Sequence, residues 1–233
     1  HIDLLQVEFT QLARYAGDVL VEHDVTYDLY TQLHQKTGTL SSWWDLWRWK
    51  RFEAEAVRRF RRVVTMSQKD ATMLGIANVS VIPNGVDTDH FQPREARPEH
   101  DLVFTGNMNY PPNIDSVLYL VQHILPLVRK VLPSTSLLIS GVDPSPSVRE
   151  LAKDDPLITV SGWVKDIRAS YASARLFVAP MQIGTGLQNK LLEAMAMRIP
   201  CITSTLANNA VGAEPGNAIL VGNSPEEYAA HIL

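Results

Sequence analysis

The stretch FVAPMQIGTGLQNKLLEAMAMRIP, residues 177–200, runs from an apolar strand through a glycine-bearing loop into a helix. Phe177, Val178 and Ala179 read as a short buried strand, Gly184 and Gly186 free the loop of Cβ atoms, and 187–197 is an unbroken run of good helix formers. Such a loop turns backbone N–H groups and the positive end of a helix dipole toward whatever binds above the carboxyl end of the strand, and a diphosphate suits that position. Lys190 and Glu193 stand three residues apart on an otherwise apolar helix, so they lie on adjacent turns of one face. A cation near phosphates and a carboxylate able to accept from two sugar hydroxyls are the parts of a nucleotide-sugar site. The same spacing also makes an ordinary solvated salt bridge. A second short strand at 200–203 follows, and strand, loop, helix and strand together put the loop at the ligand-binding edge of a parallel sheet.

Composition narrows the function classes. A chain of 233 residues, 45% hydrophobic and 20% charged, has room for two modest globular domains. Its net charge of −4 argues against nucleic acid as the main partner, because proteins that track phosphate backbones carry a basic excess. The single cysteine, Cys201, sits in the apolar run PCIT and reads as a small buried hydrophobe, which fits a reducing, cytoplasmic compartment. No run of 18 apolar residues is present. The chain begins at His1 without an initiator methionine and is expected to be a fragment.

From the start, residues 1–9 and 18–22 read as strands with a short helix at 9–15 between them, and His23 and Asp24 follow directly after the second strand. A polar pair there stands at a carboxyl edge, where open α/β sheets bind ligands, although a lone histidine at a strand end is also commonly just hydrogen-bonded. Residues 41–62, SSWWDLWRWKRFEAEAVRRFRR, combine four tryptophans with a dense set of basic residues. Trp43, Trp47, Ala54, Val57 and Phe60 can share one helical face, so inward packing is the expectation, with peripheral contact to an inner membrane face through 43–62 as the alternative. Strands at 62–67 and 79–83 flank a short helix at 69–74. Asn84-Gly85 then signals a turn, and Asp87 and Asp89, two carboxylates at i, i+2, are a weak metal motif. Polar, proline-bearing residues 92–99 read as a connection between domains at 1–95 and 100–233. The second half alternates strictly: strands at 102–105, 137–140, 158–161 and 176–180, with helices at 114–132, 148–153 and 167–174. That order implies a parallel, doubly wound α/β sheet with right-handed crossovers.

Four segments carry a family resemblance. IPNGVD at 82–87 with Phe91 and Pro93, FTGNM at 104–108, VSGWV at 160–164 with Asp166, and KLLEAMA at 190–196 resemble, in the same order, the retaining family-four glycosyltransferases of the GT-B fold, and more closely the bacterial sugar transferases of exopolysaccharide systems. The resemblance implies two Rossmann-like lobes facing a cleft, the first taking a glycan or lipid-linked acceptor and the second a nucleotide-diphosphate sugar, without metal or other cofactor. It assigns Glu193 to the ribose hydroxyls, Gly184, Thr185, Gly186 and Leu187 to the loop over diphosphate and sugar, Gly162, Trp163 and Val164 to the segment beside the base, and Gly106 and Asn107 to the donor side. His23 is implied to reach the donor sugar, and with Lys190 it forms the expected catalytic pair.

The chain departs from that pattern at Thr185, where a glutamate is usual, and at Asn107 and Pro112 or Asn113, where arginine and lysine are usual, leaving Lys190 as the cation. These departures keep a second reading open, a relative that binds nucleotide sugar with impaired transfer. A dehydrogenase reading of Gly184-Thr185-Gly186 fails, because position 189 is Asn and no acid occurs from 194 to 213. The family pattern also starts before His1, so the first lobe is expected to be incomplete, prone to self-association or poor order, and weak in transfer.

Overall fold

The computed structural model describes residues 2–233. The chain divides into two units, one formed by residues up to Asn84 together with Ile183–Leu187, the other by Gly85–Gln182 and Gln188–Leu233.

In the first unit, β1 (Gln6–Glu8), a 3-10 turn (Thr10–Tyr15), β2 (Val19–Glu22), α1 (Thr26–Thr37), α2 (Leu40–Ala56), β3 (Arg62–Thr65), α3 (Gln68–Leu74) and β4 (Val79–Val81) follow one another. The strands form a parallel sheet in the order β1-β2-β3-β4. Its register aligns Val7, Leu20, Val63 and Val79 in one row. Ala13, Ala56, Val57 and Phe60 join them to make the small core. Helix α1, which periodicity did not reveal, begins at Val25 without a side-chain cap. Buried Glu53 of α2 takes that role, accepting from the N–H groups of Thr26 at 2.7 Å and Tyr27 at 2.8 Å. A carboxylate on the first N–H groups of a helix satisfies orphan donors and the dipole together.

The tryptophans correct the inward-packing expectation. Val57 and Phe60 are buried, but Trp43, Trp44 and Trp47 are 50%, 51% and 44% exposed, and Ala54 is exposed as well. The side of α2 that meets α1 carries Trp49, which stacks on Tyr30 at 5.8 Å, and Phe52, edge-on to Trp49.

The second unit contains β5 (His100–Thr105), α4 (Pro111–Tyr119), α5 (Leu125–Arg129), β6 (Leu137–Ser140), α6 (Pro146–Glu150), β7 (Ile158–Gly162), α7 (Ile167–Ala172), β8 (Ala174–Ala179), α8 (Asn189–Ala196), β9 (Cys201–Thr203), α9 (Thr205–Val211), β10 (Leu220–Val221) and α10 (Pro225–Ile232). All six strands are parallel, in the order β10-β9-β8-β5-β6-β7. The chain therefore builds outward from β5 in one direction and returns through β8 in the other, a reversal that opens a crevice at the carboxyl ends of β5 and β8. The inner strands β5, β6, β8 and β9 carry the buried apolar runs, as a sheet covered by helices on both faces requires, whereas edge strand β7 exposes Thr159 and Ser161. Cys201 lies in this core, and burial pushes its thiol up to about 12.

Two expectations change here. The helix expected across 114–132 is interrupted by a π segment at Leu120–Ile124, immediately before Pro126. Proline offers no N–H to continue the i→i−4 ladder, and the wider turn absorbs the mismatch. Val117, Leu120, Ile124, Leu125 and Val128 are buried as the stripe requires, whereas Val131, past the end of α5, is 62% exposed. The division between units falls at Asn84 and Gly85 rather than within 95–100. Phe91 packs on the second core, Arg94 pairs with Asp166 at 2.9 Å, and Arg168 donates to the His90 carbonyl, which ties the 85–95 segment to the second unit. Asp87 Oδ1 accepts from the N–H groups of Asp89 and His90, so this carboxylate closes a turn.

Candidate functional site

Lys190 and Glu193 do not pair with each other among the described residues; each is held by a different partner. Glu193, half-buried on α8, accepts through Oε2 from the Tyr171 hydroxyl at 2.7 Å. Tyr171 on α7 is fully buried, and its oxygen also lies 2.8 Å from Thr105 Oγ1 at the end of β5. A phenol has one proton, so with Tyr171 donating to Glu193 the Thr105 hydroxyl donates to Tyr171. Burial raises the Glu193 carboxyl above its ordinary range, opposed by the Tyr171 hydrogen bond and the Lys190 charge. Burial raises Tyr171 as well, with the neighbouring Glu193 carboxylate adding to it.

Lys190 points to the other side of the same crevice. Its Nζ donates to Asn113 Oδ1 and lies 4.9 Å from the centre of the Phe104 ring. Desolvation pushes the amine down to about 7, with Glu193 opposing. Asn113, itself buried, donates from Nδ2 to the Asn107 carbonyl at 2.9 Å. A Cβ on Gly106 would stand 2.6 Å from that same nitrogen, so only glycine lets Asn113 close over the end of β5. Asn107 is exposed, its Oδ1 accepting from the Asn109 N–H.

Gly106 has a second close neighbour. A Cβ on Gly141, just past β6, would fall 1.7 Å from the Gly106 carbonyl oxygen. Gly141 N–H in turn donates to the Gly162 carbonyl at the end of β7. Three adjacent strands thus end in glycine, a backbone edge without side chains that a ligand can approach closely. Trp163 beside it is 70% exposed, Val164 is half-buried, and Trp163, Gly162 and Arg149 line a hollow of about 520 Å³.

The remaining assigned residues belong to the first unit. His23 follows β2, half-buried, with Nε2 at 2.7 Å from Glu8 Oε2 and its ring stacked on Phe9 at 4.3 Å. The Gln6 amide, followed by His23, holds the Glu8 carboxyl below its usual value. Gly184 exchanges two hydrogen bonds with the side chain of Gln32: its N–H donates to Oε1 at 2.8 Å and its carbonyl accepts from Nε2 at 3.1 Å. The Gly184 N–H is therefore engaged by a side chain, whereas the sequence reading offers it to an anion. Thr185, buried, donates to Asp24 Oδ2 at 3.2 Å. Gly186 has φ +63°, and a Cβ there would meet the His23 carbonyl oxygen at 2.7 Å. Leu187 is half-buried.

Sequence reasoning missed Tyr171, Thr105, Gly141 and Gln32. Tyr171 left a trace: a tyrosine on the inward face of a short helix needs a partner for its hydroxyl. Gln32 left none.

The family comparison rests on the second half. Residues 99–233, more than half of the chain, match the family described as glycosyl transferases group 1. An uncharacterised 44.6 kDa protein in the cps region of Klebsiella pneumoniae is 24% identical over 140 residues, covering 57% of this chain and 36% of that protein. Among solved structures, a sucrose-phosphate synthase from Thermosynechococcus elongatus superposes with TM-score 0.72 at 16% identity, over 97% of this chain and 62% of that one. HepE from Anabaena, in complex with UDP and glucose, superposes with TM-score 0.68 at 16% identity, over 92% of this chain and 60% of that one. The chain thus spans about a third of the curated relative and three fifths of these solved chains. With parallel Rossmann-like sheets in both units and the family match over the second, the chain belongs to the group 1 glycosyl transferases and has the GT-B fold.

Proposed function

We propose that the chain moves a hexosyl group from a nucleotide-diphosphate donor to a glycan or lipid-linked acceptor, with retention of anomeric configuration and without metal. The observation that carries this reading is the pair of independently anchored groups on α8 at the strand-order reversal. Glu193 is fixed by a buried tyrosine to receive the ribose hydroxyls, and Lys190 is a desolvated amine near the expected diphosphate. In such a site Glu193 keeps Oε1 for ribose while Oε2 stays on Tyr171. The glycine edge at Gly106 and Gly162, with Asn107, Trp163 and Val164, serves the donor, and Gly184, Thr185, Gly186 and Leu187 serve its sugar and diphosphate.

Retention places the departing diphosphate and the incoming hydroxyl on one face of the sugar. The bond from the anomeric carbon to the diphosphate oxygen breaks, the acceptor oxygen bonds to that carbon, and the acceptor proton passes to the leaving group. Stabilising the departing charge is then the main task, and a preorganised cation and helix N-terminus perform it. Desolvation lowers the Lys190 amine to about 7, and a diphosphate beside it favours the charged form. His23, held by Glu8, is the other member of the proposed catalytic pair. The match to a protein of a cps region favours polysaccharide biosynthesis, and the UDP held by HepE makes UDP the first nucleotide to test.

A second reading, nucleotide-sugar binding with impaired transfer, draws on Asn107 and Asn113 standing where cations are expected and on Gln32 occupying the Gly184 amide. Calorimetric titration with UDP, ADP and GDP separates binding from chemistry, followed by a donor-hydrolysis assay. One nucleotide binds, and Glu193→Gln weakens it by about 2–4 kcal/mol, because two ribose hydroxyls lose a charged acceptor. A loss below about threefold for every nucleotide refutes the Glu193 assignment. Binding without hydrolysis or transfer selects the second reading.

A further inference from the structure

Helix α2 wears its apolar stripe on the outside. Leu40, Trp43, Trp44 and Trp47 follow the i, i+3, i+4, i+7 spacing of one face, and that face is exposed, Leu40 at 86% and the three tryptophans at about half. The inward side is already filled by Trp49 and Phe52. Trp44 and Trp47 stack at 5.1 Å, and the Arg51 guanidinium stands 5.7 Å from the Trp47 ring, so the aromatic run ends in a cation on the same side. The stripe from Leu40 to Trp47 is about 10 Å long at the helical rise.

Its charge setting is distinctive. Residues 40–62 hold seven of the chain's 21 lysines and arginines against three of its 25 acids, in a chain of net charge −4. One of those acids, Glu53, is buried and spent on the N-terminus of α1. Arg48, Lys50 and Arg58 are exposed along the helix and its extension. Exposed tryptophans flanked by basic side chains match an interface with an apolar layer beneath an anionic one, where indole rings sit at headgroup depth and lysine and arginine reach the phosphates. A protein partner of ordinary composition supplies no reason for both the aromatic excess and the basic excess.

We propose that the outer face of α2 docks on an anionic lipid surface, Leu40 and the three tryptophans entering the headgroup–acyl boundary and the basic residues pairing with lipid phosphates. This docking uses none of the residues assigned to the donor, and among the described residues no helix is long and apolar enough to cross a membrane.

The test is co-sedimentation of the 233-residue chain with vesicles of phosphatidylcholine alone or mixed with phosphatidylglycerol, with tryptophan emission recorded alongside. Four of the five tryptophans lie on α2, so insertion shifts the emission to the blue. Binding is expected to the anionic vesicles and to fall with salt. Trp43→Ser, Trp44→Ser and Trp47→Ser together weaken it about tenfold or more, with nucleotide binding unchanged. Arg48→Glu with Lys50→Glu and Arg58→Glu lowers it on anionic vesicles only, and carries the test if the tryptophan variant fails to melt cooperatively. No emission shift and no pelleting with anionic vesicles overturns the proposal. Equal binding to neutral vesicles overturns its electrostatic half. A dimer in light scattering that disappears with the tryptophans, without vesicle binding, assigns the face to a second copy of the chain instead.

Discussion

Replacing Tyr171 by Phe removes one oxygen atom from the centre of the second unit and leaves every carbon in place. That oxygen is fully buried, 2.7 Å from Glu193 Oε2 and 2.8 Å from Thr105 Oγ1. Its loss strands a buried threonine hydroxyl and takes a donor from a carboxylate that burial already disfavours. The cost is about 1–3 kcal/mol, and at roughly 2–4 °C per kcal/mol the apparent Tm falls by about 2–12 °C. The Glu193 carboxyl also rises further, because the hydrogen bond opposing desolvation is gone. Nucleotide affinity at neutral pH then drops by about tenfold as the carboxylate loses its anchor. Thermal melts and calorimetric titration of the single variants Tyr171→Phe and Glu193→Gln, and of the double variant, form a cycle. Shared function through one hydrogen bond predicts a coupling of about 1–2 kcal/mol in nucleotide binding. Additive losses, or Tyr171→Phe binding nucleotide as tightly as the parent, refute the claim that the tyrosine positions Glu193.

Two further outcomes follow from buried groups. Gly141→Ala puts a methyl 1.7 Å from the Gly106 carbonyl oxygen and should cost more than about 3 kcal/mol, read as loss of soluble protein or of the cooperative melt; a variant as stable as the parent contradicts the described strand ends. In the first unit, burial pushes the Glu22 carboxyl up to about 8, from 4.5. The native state therefore holds a proton that the unfolded state releases between those values. This contribution to stability is complete below about pH 4.5 and is lost as pH rises toward 8, by up to about 1.4 kcal/mol per pH unit. Glu22→Gln, neutral throughout, should flatten that slope in denaturant melts across the range and stabilise the unit at its alkaline end, and an unchanged slope counts against a protonated Glu22.

Five of the six strands of the second unit were legible in the sequence, all but the two-residue β10, since runs such as LVFT and LLIS suit a parallel sheet covered on both sides. The sequence by itself also determined that α8 carries Lys190 and Glu193 on adjacent turns, and that Cys201 is buried, because these follow from spacing within one element. The tertiary structure decided what those groups touch. Glu193 meets a tyrosine 22 residues away and Lys190 an asparagine 77 residues away, separations at which no local period operates. Gly141 is an unremarked glycine until the carbonyl of Gly106 arrives beside it. Periodicity grouped Trp43 and Trp47 on one face of α2 but could not say which face turns inward; Trp49 and Phe52 fill the contact with α1, and the other tryptophans are left outside. Helix α1 was illegible for the same reason: its N-terminal cap is Glu53, a carboxylate from another helix, which sequence adjacency cannot show and packing alone supplies.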